Sequence, residues 1–248
     1  MVNRRGGGAT TRVTPLTIAG AGAVQLWLPA DTGITIGAAG VSTWADRSGF
    51  GRHATMAVSA SQPLLVPNVA KGRPAVRFDG TDDYLIIAHP VLHGFASCSF
   101  FIAVANNGGI NSNDRTWGNT GGPTDYCGCT FGQVSAGYPD FGIGDTAAEI
   151  KVRGPNSRAG SSSPFVFDAR MFSAESQAWD NGVAGPAVAT AYSAAIACNS
   201  DKYIGAFESG GSPLAYWPGD ILDIVAVAPA LSVAKQSEMR AYLMARYV

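Results

Sequence analysis

Hydrophobic and polar residues alternate along most of the chain in short runs that glycine, proline and asparagine separate. Alternation with a period of two is the pattern of a β-strand that buries one face. Two longer runs, Cys98 to Ala105 and Gly219 to Ala228, are apolar at most positions, as in central strands covered on both sides. Asn181-Gly182 lies between two apolar segments and is a favoured two-residue hairpin turn. The pattern therefore predicts an all-β fold made of many short strands.

Helical periodicity is confined to the C-terminal end of the chain. Ser232 is a residue type favoured at a helix N-cap, and Met239, Tyr242, Leu243 and Tyr247 have the spacing of one apolar helix face. We therefore expect one main helix, from Ser232 to Tyr247.

Composition supports this prediction and excludes several classes of protein. Only 14% of the residues are charged, whereas 31 of the 248 are glycine, so helix formers are scarce and turn formers abundant. The net charge of −1 leaves the chain without a basic field for nucleic acid. It has no apolar run of about 18 residues, so no membrane span is predicted.

The first 20 residues differ from the rest of the chain. They contain Arg4, Arg5 and Arg12, a glycine triplet and no acidic residue. Such a segment cannot bury enough apolar surface to become ordered by itself. We therefore expect a flexible basic arm at residues 1–20 and one domain at residues 21–248. The start of the chain lacks the apolar core of a secretory signal, so we expect synthesis in the cytoplasm without general secretion.

Four cysteines, Cys98, Cys127, Cys129 and Cys198, are too few for the disulfide framework of a domain of this size. Cys127 and Cys129 are separated by one residue, a spacing that strains a direct disulfide bond. A metal site at this pair would need two further ligands, and the three histidines are remote in sequence. We interpret the cysteines as reduced thiols in and beside a strand.

Residues 106–126 form a long polar segment with two aromatic residues among glycine, asparagine and aspartate. Long loops without regular structure are often functional, and an aromatic ring with polar neighbours can stack on a sugar and bond its hydroxyls. The alternative is that Trp117 is buried, between the sheets or against a neighbouring subunit. The candidate ligand-binding residues are Asp114, Arg115, Trp117, Asp125 and Tyr126.

Several sequence blocks together resemble the LamG-like, concanavalin A-like lectin/glucanase jelly-roll domain. They are LWLPADTG, GVSTWADRSGFGRHATMA, GRPAVRFDGTDDYLII, SQAWDNGV, YIGAF and the closing segment that begins WPGDILDIVAVA. The similarity runs from about Leu26 to Tyr247, and the branch that the chain resembles is common in bacteriophage virion proteins and large bacterial surface proteins. The resemblance implies two antiparallel sheets packed face to face, with a short C-terminal helix at the edge.

The segment FDGTDDYL, residues 78–85, contains adjacent carboxylates that suit either a metal or catalytic pair or a tight turn between two strands. Aspartate and glycine favour turns, because aspartate bonds its own backbone and glycine tolerates positive φ. In the resembled family, Asp82 and Asp83 match acidic positions of a strand-to-strand corner. We therefore interpret Asp82 and Asp83 as structural residues that hold the corner and neighbouring backbone amides.

A second block of the resemblance, W-x-D-x-SG, is also interpreted as structural. Trp44, Asp46, Ser48 and Gly49 match positions where the aromatic ring packs and the polar residues shape a turn. Many domains of this type bind calcium through loop carboxylates and carbonyls. The chain has no D-x-D-x-D loop, so calcium stays an open cofactor without assigned ligands.

Catalysis is not predicted. Retaining glucanases on this fold carry two glutamates and an aspartate on one strand, so that two carboxyl groups about 5 Å apart flank the glycosidic bond. None of the four glutamates of this chain has an aspartate two residues later. They are Glu149, Glu175, Glu208 and Glu238.

The resemblance favours a non-enzymatic bacteriophage virion protein, a decoration, fibre or adhesion component, with a lectin-like domain that binds host-surface carbohydrate. Its expected partners are other virion proteins of the capsid or tail, bound through Arg4, Arg5 and Arg12, a host-surface glycan, and further copies of itself. The alternative is a bacterial surface or secreted carbohydrate-binding module. A glycan-degrading enzyme is the least favoured of the three.

Overall fold

The computed structural model describes residues 12–107, 114–120, 126–131, 137–144, 149–159, 161–189, 195–209 and 212–248. Their strands form two sheets that pack face to face, and two helices lie on the outer side of the first sheet. No helix among the described residues combines the length and apolarity needed to cross a bilayer.

The elements are numbered along the chain. The helices are α1 Pro15–Ala19 and α2 Val233–Tyr247. The strands are β1 Val24–Pro29, β2 Ile34–Ile36, β3 Val41–Trp44, β4 Ala54–Thr55, β5 Leu64–Ala70, β6 Arg73–Asp79, β7 Leu85–Ile87, β8 Cys98–Asn106, β9 Asp114–Thr120, β10 Tyr126–Phe131, β11 Pro139–Gly144, β12 Glu149–Arg153, β13 Phe165–Met171, β14 Glu175–Asp180, β15 Val183–Ala184, β16 Val188–Ala189, β17 Lys202–Ile204, β18 Phe207–Ser209, β19 Ser212–Leu214 and β20 Pro218–Val227.

The first sheet has the order β15-β14-β13-β8-β20-β6-β5, with β1 beside β20 and β16 beside β14. The second has the order β12-β11-β10-β9-β17-β7-β4-β3-β2, with β18 beside β9 and β19 beside β18. Strand β8 pairs antiparallel with β13 and β20, and every one of its residues is buried. The prediction of a central strand covered on both sides is therefore confirmed.

The core between the sheets contains a stack of three aromatic rings. Phe100 of β8 stacks on Trp117 of β9 and on Phe141 of β11, with ring centroids 4.8 and 4.7 Å apart. All three side chains are 0% exposed. Aromatic pairs at this spacing contribute about 0.5–1.5 kcal/mol beyond the burial of their area. The stack thus joins the two sheets through contacts that neither sheet could make alone.

Helix α2 has the bounds that the sequence predicts. Its N-cap is Ser232, whose hydroxyl oxygen accepts a hydrogen bond from the amide of Lys235 at 3.3 Å. Met239, Leu243 and Tyr247 are buried against the first sheet, as expected for one apolar helix face.

A buried ion pair fixes the orientation of α2 on the sheet. The carboxylate of Asp168 on β13 accepts two hydrogen bonds from the guanidinium of Arg240, at 2.7 and 2.8 Å. It also accepts one from the side-chain amide of Gln236 at 2.7 Å. Because a buried charge is costly unless it is paired, this contact specifies one position of the helix.

The hairpin predicted at Asn181-Gly182 is present between β14 and β15. Both residues have positive φ, 46° for Asn181 and 82° for Gly182. Asparagine and glycine are the residues that adopt this conformation most readily, which explains the turn at this position.

The predicted boundary of the N-terminal arm is wrong. Thr14 caps helix α1 and forms a capping box with Thr17, and Ile18 is buried in the cluster that α2 also enters. The packed part of the chain therefore includes residues 14–20. A five-residue helix is too short to show a period, so the sequence pattern did not reveal it.

We expect Trp117→Ala to destabilise the protein strongly. Truncation of a large buried aromatic residue costs about 3–5 kcal/mol, because contacts are lost and a cavity remains. Trp117→Phe, which keeps a ring against Phe100, should cost less. Thermal unfolding measures both variants, with Phe172→Ala as the control because Phe172 is 39% exposed. An unchanged melting temperature for Trp117→Ala would contradict its place in the core.

Removal of residues 1–20 should lower the melting temperature, because it removes Ile18 from the face between α1 and α2. Burial of an isoleucine side chain contributes about 1.5–3 kcal/mol. Removal of residues 1–11 is the comparison, because it keeps α1 and its cap. If the shorter and the longer truncation melt at the same temperature, the packing of α1 contributes nothing.

Candidate functional site

The residues predicted to form an exposed binding loop are in part inside the sandwich. Residues 114–120 form strand β9, and Trp117 points into the core, so its use as a stacking platform is wrong and its buried alternative is correct. Arg115 is buried as well, with its guanidinium carbon 4.1 Å from the ring centroid of Phe207. The core partners of Trp117 come from other strands, which the local composition could not indicate.

The structure says less about the other predicted binding residues. Asp114 and Tyr126 occupy strand positions at the ends of β9 and β10. Asp125 of the proposed loop, and Arg4 and Arg5 of the proposed arm, lie outside the described residues.

The segment FDGTDDYL is a corner that leads from β6 in the first sheet to β7 in the second. The Oδ1 atom of Asp79 accepts hydrogen bonds from the amides of Thr81, Asp82 and Asp83, at 2.8, 3.2 and 3.4 Å. Asp83 accepts one from the amide of Asp79 at 3.0 Å. Asp83 therefore holds a backbone amide as expected. Asp82 is exposed and its carboxylate holds no amide of the described chain, so Asp79 has the larger role at this corner.

The W-x-D-x-SG block is structural, as expected. Trp44 is fully buried and its indole nitrogen donates to the carbonyl of Pro29 at 3.0 Å. The Oδ1 atom of Asp46 accepts from the amides of Trp27 and Ser48 at 3.0 and 2.8 Å. The polar groups of this block are therefore used within the turn.

Three half-buried tyrosines lie beside the corner. The rings of Tyr84 and Tyr203 are nearly parallel, with an interplanar angle of 18° and centroids 5.6 Å apart. The ring of Tyr216 is tilted by 53° to that of Tyr84, at 6.4 Å. Burial raises the pKa of the Tyr216 hydroxyl, and Tyr84, Asp82 and Asp79 raise it further. We call Tyr84, Tyr203, Tyr216, Asp79 and Asp82 the tyrosine–aspartate surface.

Strand register places Tyr203 on the outward face of the second sheet. Ile204 of β17 pairs with Trp117 and both are in the core, so the preceding residue, Tyr203, faces outward. Tyr84 lies just before β7; its ring stacks on Tyr203 and also packs against the edge of the core, which leaves it half-buried.

A row of glycines continues from Tyr203 across the sheet. Gly118, Gly128 and Gly142 lie opposite one another on β9, β10 and β11. All three are buried, so the tyrosine–aspartate surface does not extend across them as an open groove.

A cavity of about 300 Å³ is lined in part by residues of the corner. The guanidinium of Arg77 in its wall is held by two hydrogen bonds to Asp220, at 2.7 and 2.8 Å. The cavity is lined by Leu64, Arg77, Phe78, Asp79, Asp83, Asn107 and Pro218.

The corner carboxylates fit a hard cation by donor type. Asp79, Asp82 and Asp83 each offer an oxygen, and these atoms lie within 4.8 Å of one another. Burial raises the pKa of Asp83 to about 6, and the neighbouring Asp79 and Asp82 add to the shift. A cation at this point would relieve the repulsion among the three charges. Calcium nevertheless stays a prediction of the sequence resemblance.

The chemistry of the tyrosine–aspartate surface suits sugars. Tyrosine rings offer an apolar face and a hydroxyl, and the exposed carboxylates of Asp79 and Asp82 accept hydrogen bonds from hydroxyl groups. Sequence reasoning assigned Asp82 and Asp83 to the corner but missed the tyrosines. The available signal was Tyr84, which directly follows the carboxylates, whereas Tyr203 and Tyr216 come from distant segments.

Comparison with known proteins gives matches at the level of structure. No family model and no curated protein matches the sequence. Domain 4 of AbnA, a GH43 extracellular arabinanase from Geobacillus stearothermophilus, was solved in complex with arabinotriose. It is similar with a TM-score of 0.62 and 13% identity, over 88% of this chain and 98% of that one.

Two botulinum neurotoxin structures are also similar. The binding domain of serotype D has a TM-score of 0.65 at 8% identity, over 93% of this chain and 53% of that one. Neurotoxin type C, which depends on interaction with two ganglioside molecules to enter cells, has a TM-score of 0.61 at 11% identity, over 92% and 52%. The chain thus spans about half of these toxin structures. Likeness at such identities establishes the fold alone, an all-β sandwich of two sheets with a short C-terminal helix.

We expect Asp83→Asn to change how stability depends on pH. The pKa of Asp83 in the folded protein is about 6, above its ordinary value of 3.8, so the unfolded chain ionises first. Asp83 therefore costs stability progressively as the pH rises from about 4 to about 6, by the order of 1–3 kcal/mol. Asparagine keeps an oxygen for the Asp79 amide without the charge, so the variant should melt higher than the wild type at pH 7.

Thermal unfolding between pH 3 and pH 8 measures this difference, and Asp82→Asn is the control because Asp82 is exposed and contributes least to the shift. Parallel curves for the wild type and Asp83→Asn would contradict the account of the corner.

Proposed function

We propose that this protein is a non-enzymatic carbohydrate-binding component of a bacteriophage virion, and that the tyrosine–aspartate surface contacts the sugar. The observation that carries the sugar-binding part is the stack of Tyr84 on Tyr203 beside Tyr216, whose hydroxyl lies close enough to Asp79 and Asp82 for their charges to raise its pKa. A sugar ring has an apolar face, which a tyrosine ring can stack on, and hydroxyl groups at its edge, which a carboxylate can bond.

The similar structures support a sugar as the ligand. The arabinanase domain was solved with arabinotriose, and neurotoxin type C interacts with ganglioside molecules. The fold therefore provides carbohydrate recognition in other proteins, which is an argument by analogy. The rings and carboxylates of this chain supply the argument specific to it.

The corner carboxylates raise glycan hydrolysis as a second candidate. Asp83 has a pKa of about 6 and lies with two other carboxylates within 4.8 Å, near the separation of retaining hydrolases. However, Asp79 and Asp83 already bind backbone amides of the corner. A hydrolase needs one carboxyl group on each side of a bound sugar, whereas these groups converge on one turn. We therefore favour binding over hydrolysis.

The virion assignment rests on the sequence resemblance and on the basic residues ahead of the domain. Many copies on one particle would convert weak single-site binding into firm attachment. A bacterial surface or secreted adhesion module is the alternative with the same binding chemistry. Mass spectrometry of purified phage particles separates the two, because only a virion component remains with the particles.

We expect Tyr84→Ala to weaken glycan binding by about tenfold or more. Loss of one stacking aromatic costs about 1–3 kcal/mol, by analogy with bases stacked on aromatic side chains. Tyr84→Phe keeps the ring and should retain most of the affinity. The assay uses a panel of immobilised oligosaccharides that includes arabinotriose, with the melting temperature measured for every variant.

Phe172→Ala is the matched control, because Phe172 is an exposed aromatic residue that follows β13 of the first sheet. Equal binding by wild type and Tyr84→Ala would reject the tyrosine–aspartate surface as the binding site.

A further inference from the structure

A second cavity, of about 220 Å³, lies at the edge of the helix layer, where the start of the described chain meets the end of α2. Its wall contains three guanidinium groups and one carboxylate, so the local charge is positive although the whole chain is close to neutral. Two aromatic rings complete it. The residues concerned are Arg12, Arg47, Arg246, Asp31, Trp27 and Tyr242.

Only some of the charged groups in this cavity are paired with other residues of the protein. Arg246 donates to the Oδ2 atom of Asp31 at 2.7 Å, and Arg73 donates to the same atom. Arg12 and Arg47 have no hydrogen-bond or ion-pair partner among the residues that the structure describes, and both are exposed. Two guanidinium groups thus remain available to an anion.

The aromatic rings of the cavity add a second requirement for a ligand. Trp27 and Tyr242 line the cavity and are half-buried, so each ring exposes part of its surface. Aromatic faces can pack against the apolar face of a sugar ring. A ligand that satisfies the wall therefore carries an anionic group for Arg12 and Arg47 and a compact ring beside Trp27 and Tyr242.

The geometry points to a binding site for a carboxylated sugar, a single uronic-acid-type residue, in this cavity. A simple anion satisfies the guanidinium groups but not the rings, and a neutral sugar leaves both arginines unpaired. The volume is below the about 300–1,000 Å³ of sites for drug-sized ligands, which suits one monosaccharide. The inference shares with the proposed function only the premise that the domain binds sugars, and it concerns the helix side of the sandwich.

The test compares D-glucuronate with D-glucose and acetate, each titrated into the full chain and followed by NMR at low ionic strength. We expect glucuronate to bind more tightly than either control, and added salt to weaken it. Arg12→Gln and Arg47→Gln should each lower the affinity about tenfold, the loss expected for a hydrogen bond to a charged group. Arg47→Lys should restore part of it.

Lys235→Gln is the control for net charge, because Lys235 is exposed on α2 and pairs with Glu238, away from the cavity lining. The inference would be overturned if glucose or acetate bound as tightly as glucuronate. It would also be overturned if both arginine-to-glutamine variants kept the wild-type affinity for glucuronate and the wild-type melting temperature. Tyr84→Ala distinguishes the two proposals. The variant should bind glucuronate as the wild type does, because Tyr84 does not line this cavity. If the wild type binds glucuronate but no neutral glycan, only the proposed function fails. If the wild type binds neutral glycans but not glucuronate, only this inference fails.

Discussion

The aromatic stack of Phe100, Trp117 and Phe141 is the contact on which the second sheet depends. It sets which side of β9 faces the core, and strand pairing then transmits that choice to β17. Because successive side chains of a strand alternate, a buried Trp117 requires a buried Ile204 and an outward Tyr203. Trp117, which the sequence suggested as a sugar-stacking residue, thus fixes the outward position of Tyr203 instead.

The corner between the sheets adds the polar half of the site. Asp79 and Asp83 bind backbone amides across the turn and bring three carboxylates together. The raised pKa of Asp83 shows that this arrangement has a cost at neutral pH. The cost is consistent with a turn that is held by hydrogen bonds and that leaves Asp82 exposed beside the tyrosines. Fold and candidate site therefore share the same residues here.

The sequence predicted correctly those elements that depend on residues close together in the chain. The hairpin at Asn181-Gly182, the helix after Ser232 and the buried strand β8 follow from turn preference, capping and hydrophobic pattern, and all three are present. Helix α1 was missed because five residues show no period.

The candidate site was missed for a different reason. Tyr84 and Tyr203 meet only because β7 pairs with β17, and that pairing joins segments far apart in the chain. Trp117 was misplaced because its polar sequence neighbours say nothing about Phe100 and Phe141, which pack on it from other strands. Non-local strand pairing is thus the step that a single sequence did not reveal.

The central claim is that sugar binds on the outward face of the second sheet, beside the corner. NMR chemical-shift mapping of the labelled protein, titrated with the best-binding neutral oligosaccharide, tests it most directly. The account predicts saturable shifts centred on Tyr84, Tyr203 and Asp82, with the core signal of the Trp117 indole unchanged. Saturable shifts confined to another part of the molecule would contradict it.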